Sequence, residues 1–441
     1  MRKLTIKNVG PLKEISISLN KVNVFIGPQS VGKSTLAKLI SFCYWAEKDC
    51  LRNQQIDHLD WGFIERYLIR YYNLDGYFKE NSSFEYIGEG IEISVVNKTV
   101  KVTKRPKFSE EGISKNTYIP SERNVLSIPS IFSVKLPDNY LLEFIDDWQE
   151  MRSKYKKDNA VGILDLSTEY YYNEDDNRDM VQLSTGENIR YSQSSSGLQS
   201  VIPLCVCIDY LTNWIYSHEE DKSAEERQHI RETLFRQYVA RMIKESEAEK
   251  DTDQLREKLN QNKSAIQKSI SNFIAHYNGK ELTFEHLNEI PGMRQFTKVL
   301  KDLYNHIHPT YTNLVIEEPE QNLFPETQVQ LVYYILSKID KENRQDNLIL
   351  TTHSPYILYA LNNCLLAYLA SQEDADTVRG ASTVPETSWL NPEIVSVWEL
   401  KEGLIREGKT IQDARGLVRK NYFEEIMHNV MADFSNMLSI L

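Results

Sequence analysis

The residues of this chain best suited to do chemistry lie in three short segments. The first is Gly27-Pro28-Gln29-Ser30-Val31-Gly32-Lys33-Ser34, followed by Thr35. Glycine adopts backbone conformations closed to other residues, so Gly27 and Gly32 let the chain curl until several N–H groups face one point. Such a nest binds an anion, and a helix beginning at Lys33 adds the positive end of its dipole. Lys33 is then placed to reach the β- and γ-phosphates of ATP, and the Ser34 hydroxyl to hold Mg²⁺. The spacing G-x-x-x-x-G-K-[ST] carries this meaning only between a strand and a helix. Residues 22–26 supply an apolar strand and residues 33–45 a helix.

The second segment is Leu314-Val315-Ile316-Glu317-Glu318-Pro319, two carboxylates at the end of an apolar run. Ligand chemistry in open α/β sheets sits at the carboxyl ends of strands. Glu317 is expected to hold Mg²⁺ through water. Glu318 is expected to orient and polarise the attacking water, the task phosphoryl transfer gives to one positioned residue. The third segment is Thr351-Thr352-His353-Ser354-Pro355, after the apolar run 348–350. Alone, His353 reads as a satisfied loop histidine. Behind two such carboxylates it becomes a candidate donor to the γ-phosphate. The expectation is that Lys33, Glu318 and His353 converge on one triphosphate.

Two further segments carry weaker signals. Ser194-Ser195-Ser196-Gly197-Leu198-Gln199-Ser200 opens an apolar helix. A helix start made of small residues offers a hydroxyl and free N–H groups to a phosphate, and is equally an ordinary serine cap. Thr117-Tyr118-Ile119-Pro120-Ser121-Glu122-Arg123-Asn124 reads as a short strand and a turn. There Glu122 or Arg123 either senses a γ-phosphate or a partner, or simply closes a capped turn.

Taken together, the phosphate loop, Glu317-Glu318-Pro319-Glu320-x-Asn322-Leu323-x-Pro325 and Thr351-Thr352-His353-Ser354-Pro355 resemble the ABC-type ATPase heads. They are most similar to the RecF/SMC-like group and to the AAA-labelled ATPases of the OLD type found in bacterial defence systems. The resemblance falls in residues 1–45, 117–125, 190–210 and 312–362. It implies that Glu320 to Pro325 is the D-loop and His353 the switch histidine. Phe324 stands where most such relatives carry histidine. Ser195 matches the serine of the ABC signature and Gly197 its second glycine, in a degenerate form. The resemblance also implies that the signature helix points away from its own phosphate loop and caps ATP held by a second subunit. A homodimer or higher homo-oligomer follows. The long interval between Ser200 and Glu317 departs from transporter subunits. OLD-type proteins often carry a Toprim nuclease. Here the D-x-D that follows His353, Asp374-Ala375-Asp376, reads as a polar loop with no apolar strand before it, so the effector is expected on a separate chain. DNA remains a possible ligand.

The elements that must position these residues are legible in outline. The chain has 441 residues, 41% of them hydrophobic, enough for a large core. We expect one discontinuous α/β head of the P-loop NTPase, ABC-ATPase type, with a mixed sheet, an antiparallel β subdomain and a helical insertion. Its parts are 1–125 with the phosphate loop, 126–215 with a β hairpin and the signature helix, 216–310 as the insertion, and 311–441 with the carboxylates, His353 and the tail. Period-two alternation marks strands over 4–8 and 14–19, a small antiparallel sheet over 85–103, and a hairpin over 169–183. Residues 60–72 and 140–156 read as helices. Within 218–273, apolar pairs recur near every fourth residue, an amphipathic packing face. The tail reads as a strand pair over 393–405 and an amphipathic helix from Tyr422.

Composition narrows the setting. The longest apolar stretch, 201–216, is broken by Asp209 and reads as too short to span a bilayer. Residues 1–7 alternate like a strand rather than a signal peptide. Five cysteines show neither disulfide nor zinc spacing, so buried thiols and a cytoplasmic location are expected. A formal charge of -12 argues against a generally DNA-coating surface while leaving a local basic groove open. The sequence thus points to a regulatory ATPase, expected in anti-phage defence. A RecF-like DNA clamp is the alternative, and a small-molecule kinase is disfavoured by the paired carboxylates and His353.

Overall fold

The computed structural model describes residues 2–109, 113–217, 309–339, 344 and 346–440. Nearly all of them belong to one compact unit assembled from Met1–Ser109, Lys115–Asn213 and Tyr311–Leu441. A second unit, Glu110–Ser114 and Trp214–Thr310, lies almost wholly outside the described residues. The expected helical insertion and its amphipathic face lie there too.

The alternating N-terminal residues form strands β1 (Arg2–Val9) and β2 (Leu12–Leu19), which pair antiparallel and bury Leu4, Ile6, Ile15 and Ile17. The apolar run before the phosphate loop is β3 (Val22–Ile26). Strands β4 (Phe78–Ile87), β5 (Ile91–Val96) and β6 (Thr99–Lys104) extend the sheet outward from β1, each antiparallel to its neighbour. The small antiparallel sheet expected over 85–103 is therefore present, and it is continuous with the main sheet through β1. Alternation reports one buried face but not which strand lies alongside.

The remaining strands are β7 (Ile113–Ile119), β8 (Val161–Gly162), β9 (Glu169–Asn173), β10 (Arg178–Gln182), β11 (Asn188–Arg190), β12 (Pro309–Glu317), β13 (Asn347–Thr351), β14 (Val395–Lys401) and β15 (Leu404–Ile405). Among the described residues, the main sheet has the order β6-β5-β4-β1-β2-β15-β14-β3-β13-β12-β7. A small antiparallel sheet, β11-β10-β9-β8, contains the expected hairpin.

The centre of the main sheet is parallel: β14, β3, β13 and β12 run side by side. Every residue of β3 and β13 is buried, as strands covered on both faces require. Their register positions the site. Phe25 is level with Thr351, and Thr351 is level with Glu317. Three strands far apart in sequence therefore end on one line, and the chain leaves them at Gly27, Glu318 and Thr352.

Helix α1 (Lys33–Asn53) packs its apolar face on this sheet. It runs past the expected end near Trp45 because Ala46, Cys50 and Leu51 continue the buried face. Helix α2 (Trp61–Ile64) passes into a wider π turn over Glu65–Arg70. The others that matter here are α3 (Tyr140–Arg152), α4 (Ser196–Asp209), α5 (Pro325–Ile339), α6 (Pro355–Ala381) and α7 (Tyr422–Leu438).

Two expectations change. The helical run beginning with α4 continues to Ser217, and Asp209 does not break it. The Asp209 carboxylate accepts from the Tyr155 hydroxyl at 2.9 Å and pairs with Lys338 at 3.1 Å. Ser196–Ser217 is thus long and apolar enough, by length and composition, to cross a membrane, yet 67% of its apolar window is buried inside the protein. It is a core helix of the unit just described. Asp374-Ala375-Asp376 lies within α6 rather than in a loop, at a local break where Asp374 has φ -156° and ψ 97°. Among the described residues no group of three or more His, Cys, Asp or Glu side chains is disposed to hold a metal ion. All five cysteines are free and buried.

Candidate functional site

The loop between β3 and α1 has the shape its glycines permit. Gly27 has φ +141°, and a Cβ there would fall 2.2 Å from the Leu400 carbonyl oxygen on β14. Gly32 has φ +102°, with the Leu12 side chain 2.4 Å from where its Cβ would be. Neither position accepts a side chain. Gln29 and Ser30 form the exposed tip, Pro28 and Val31 are half-buried, and Thr35 is buried behind them. No side chain caps the start of α1, and no acidic residue occupies its first turn. Its leading N–H groups therefore lack a side-chain acceptor.

Lys33 is buried, and its Nζ donates to the carbonyls of Gly27 at 2.9 Å and Pro28 at 2.7 Å. Burial draws the ammonium down to about 8, against the opposing pull of Glu318, Glu320 and Glu317. The ammonium and the carboxylates at the end of β12 therefore share one electrostatic environment.

Glu317 is the last residue of β12 and is buried, which pushes its carboxyl up to about 7 against the attraction of Lys38. Its Oε1 is buried without a hydrogen-bond partner. A buried carboxylate oxygen with nothing to bind is costly, and a hard cation would relieve it. Ser34, half-buried at the start of α1, carries the hydroxyl that the sequence pattern assigns to that ion. These residues fit Mg²⁺.

Glu318 has φ +42°, a left-handed conformation rarely adopted outside glycine, asparagine and aspartate. The backbone is fixed on both sides. Its N–H donates to the Thr351 carbonyl at 2.9 Å, and its carbonyl accepts from Arg123 at 2.8 Å. The carboxylate lies 3.5 Å from His353 Nε2 and accepts from Gln321 at 2.9 Å. The interaction with His353, helped by Gln321 and the Lys33 charge, holds Glu318 down at about 2 despite partial burial. It is an acceptor at any ordinary pH.

His353 is itself anchored, its backbone N–H donating to Glu320 Oε1 at 2.6 Å. Burial raises the Glu320 carboxyl, whose other oxygen has no hydrogen-bond partner. One residue upstream, the Thr352 N–H donates to the Phe25 carbonyl at 3.0 Å, tying the His353 turn to the strand that feeds the phosphate loop.

Arg123 departs from expectation. It is wholly buried, and its guanidinium spends its donors on backbone. Nη1 donates to the Glu317 carbonyl at 2.9 Å and the Pro120 carbonyl at 3.3 Å, Nη2 to the Glu318 carbonyl at 2.8 Å, and Nε to the Ser200 carbonyl at 3.2 Å. Burial lowers it to about 10 while Glu320, Glu318 and Glu317 oppose that shift. The arginine braces the strand end that carries both carboxylates. The neighbouring Glu122 carboxylate accepts from the Tyr140 hydroxyl at 3.1 Å and from Ser121.

Ser195 is the exposed cap of α4, its hydroxyl accepting from the Leu198 N–H at 3.3 Å. A Cβ on Gly197 would lie 3.2 Å from the Asn322 carbonyl oxygen, and the Asn322 amide donates to the Ser200 hydroxyl at 2.9 Å. The start of α4 thus packs on the loop 320–325, in which Phe324 has 73% of its surface exposed. The described contacts join Gly197 and Ser200 to this loop, while the Ser195 hydroxyl stays on its own helix start.

The profile of the AAA_23 family, an AAA domain, matches residues 3–289. No curated protein sequence matches significantly. Among solved structures, the chain is similar to an SMC head bound to the C-terminal winged-helix domain of ScpA, at 8% identity over 81% of this chain and 90% of that one, TM-score 0.36. It is also similar to the SMC head domain from Thermotoga maritima, at 9% identity over 81% and 90%, TM-score 0.31. A third similar structure is the recombination mediator RecF, at 11% identity over 91% and 96%, TM-score 0.27. With one family profile covering well over half its length and a phosphate loop set between β3 and α1, the chain belongs to the AAA_23 family of AAA domains and has the P-loop ATPase fold.

Proposed function

We propose that this protein binds and hydrolyses ATP, and that the nucleotide state of a homodimer controls an effector on another chain. The observation that carries the hydrolytic reading is the common level of β3, β13 and β12, which brings Lys33, His353 and Glu318 to one edge of the sheet. The open N–H groups of α1 receive the phosphates. Lys33 exchanges its loop carbonyls for β- and γ-phosphate oxygens. Ser34 and Glu317 hold Mg²⁺, which supplies charge neutralisation of the triphosphate when bound. Glu318 orients the attacking water, and His353, tethered to Glu320 and within reach of Glu318, donates to the γ-phosphate.

Ser195 and Gly197, exposed and half-buried at the start of α4, suit the capping of ATP held by a second copy. The hydrogen bond from Asn322 to Ser200 supports coupling between that surface and the Glu318 strand end. The setting we assign, anti-phage defence, rests on the sequence resemblance alone. The acidic net charge of -12 favours a protein effector over a RecF-like DNA clamp.

The experiment is light scattering on Glu318→Gln protein with and without Mg²⁺-ATP, in parallel with turnover by the wild type. ATP-dependent assembly that Ser195→Arg abolishes, with monomer nucleotide binding intact, supports the reading. A protein that stays monomeric at saturating ATP removes the sandwich. Salt-sensitive DNA binding strengthened by ATP selects the clamp instead.

A further inference from the structure

Beside the helix that follows the phosphate loop lies a cavity of about 380 Å³ that the ATP chemistry above does not use. Small-molecule pockets run from about 300 to 1,000 Å³, so its size is that of a ligand site. Its walls come from α1, the π turn, β7 and the start of α3, and most of them are aromatic. The Tyr72 and Tyr140 rings lie 15° from parallel with centroids 6.0 Å apart, and Tyr118 stands edge-on to both at 5.4 Å. Trp45 and Tyr67 pack against each other at 4.9 Å. Thr117 and Tyr118 are buried, and neither hydroxyl has a hydrogen-bond partner. Native proteins leave few buried hydroxyls in that state. A second hollow of about 360 Å³ shares Tyr71, Asp138, Glu143 and Asp147 with the first and adds Asp146 and Glu150. Five carboxylates and no basic residue line it.

Glu143 belongs to both hollows. Crowding by protein atoms, with Asp147 alongside, pushes its carboxyl up to about 7, and Lys48 offsets this only in part. Lys115 stands 3.9 Å from Asp147, at the outer limit of an ion pair. The basic residues of the aromatic slot are already engaged. Arg70 pairs with Glu65 at 2.8 Å, and the Arg66 guanidinium lies 5.8 Å from the centre of the Tyr67 ring. Aromatic faces beside carboxylates attract a cation. The rings here hold one from the chain itself, since Lys38 Nζ is 4.6 Å from the centre of the Tyr140 ring. An anion entering the second hollow would meet carboxylates alone. We propose that the slot binds a small organic amine, its apolar or aromatic body among the rings and its ammonium beside Glu143 and Asp147.

The amine acts on the neighbouring site through Tyr140, a step that rests on the ATPase reading above. The Tyr140 hydroxyl donates to Glu122, and the next residue, Arg123, holds the Glu318 carbonyl. Lys38, on the Tyr140 ring, donates to the Tyr72 carbonyl at 3.2 Å and is the positive charge that draws on Glu317. An occupant that fixes the Tyr140 ring steadies the strand end bearing both carboxylates, so kcat should rise.

The test begins with calorimetry on the full chain without nucleotide. The probes are tryptamine and spermidine, with two controls that keep the tryptamine ring system: neutral indole-3-ethanol and anionic indole-3-propionate. At least one amine should bind one site per chain with a dissociation constant below about 1 mM. The neutral control should bind at least about tenfold more weakly than the better amine, and the anionic control not at all. Glu143→Gln, a change at an exposed position, should weaken the amine about tenfold with unchanged circular dichroism. Tyr71→Leu keeps apolar bulk, loses the ring face and should weaken it to a similar degree. Failure of both amines to bind at about 1 mM overturns the proposal. So does amine binding that both variants leave intact, and so does a neutral control as tight as the amines, the mark of an apolar cavity only. ATP turnover with and without the amine reads the coupling. A severalfold higher kcat supports it, and an unchanged kcat in a protein that binds the amine overturns that step. A chain that binds the amine and hydrolyses no ATP removes the ATPase reading and leaves the amine site standing.

Discussion

The guanidinium of Arg123 holds the backbone carbonyl of Glu318 at 2.8 Å, and through its other nitrogens it also holds the carbonyls of Glu317 and Ser200. One buried cation thus locks together the strand end that bears both carboxylates and the first turns of α4. Glu318 sits at φ +42°, so its strained backbone depends on this clamp and on the Thr351 carbonyl. Arginine suits the task because a planar fork can serve several carbonyls at once.

Arg123→Lys keeps the charge and loses the fork. A single ammonium cannot span the carbonyls of two successive residues and of Ser200. We expect a loss on the order of 3 kcal/mol in urea unfolding, since buried carbonyls are left without donors. The kinetic signature separates this from general damage. The phosphate loop is untouched, so the KM for ATP should change little while kcat falls at least tenfold. A KM rise at constant kcat would place Arg123 in nucleotide binding instead.

Glu318→Gln should bind Mg²⁺-ATP with near-normal affinity and turn it over 100- to 1,000-fold more slowly, the usual scale for losing a positioned base. The amide keeps the contact with Gln321 or His353 but cannot draw a proton from water. His353→Ala should be milder, because it removes one donor and leaves Glu318 ionised by Lys33 and Gln321. Single-turnover kinetics on both variants checks the order. A His353 variant slower than the Glu318 variant would reverse the assigned roles.

Much of this site is legible in the sequence because each piece obeys a local rule. Gly27 and Gly32 occupy backbone conformations that need glycine, and Glu317 and Glu318 follow an apolar run of the length a buried strand requires. Arg123 escaped that reading. Its function is to satisfy carbonyls on β12 and α4, almost two hundred and almost eighty residues away, and no local pattern announces such a partner. The same limit hid the attachment of β4 to β1 and the continuity of the α4 run past Asp209, where Tyr155 and Lys338 supply tertiary partners for the charge. Elements whose partners lie close in sequence were readable, and those defined by distant ones were not.

ATP affinity should fall as pH rises above about 8. A polyanion prefers the ammonium form of Lys33, and burial holds that group at about 8 in the protein alone. Below that pH the ammonium is already present and binding is flat. Above it, binding must take up a proton, and the dissociation constant rises by up to tenfold per unit. Titration with a fluorescent ATP analogue between pH 6.5 and about 9.5 measures the slope. Proton uptake at pH 9 follows from calorimetry in buffers of differing ionisation enthalpy. Affinity independent of pH across this range would mean that Lys33 does not meet the phosphates.

Glu317→Gln should make the metal-free protein more stable and the enzyme inactive. The wild-type carboxyl is buried, raised to about 7 by that burial, and left with an unpartnered oxygen. At pH 8 it must carry a buried charge that Lys38 offsets only in part, and a neutral amide of the same shape removes this cost. The gain should be about 1–2 kcal/mol at pH 8 and should shrink as pH falls below 7, where the wild-type carboxyl takes up its own proton. Mg²⁺ reverses the comparison, because a cation stabilises the carboxylate and has little hold on the amide. Thermal unfolding of both proteins in EDTA and in Mg²⁺-ATP therefore yields a crossing: the variant melts higher without metal and the wild type melts higher with it. A site tuned for its fold alone would show the same rank order in both conditions, and that result would remove Glu317 from the metal.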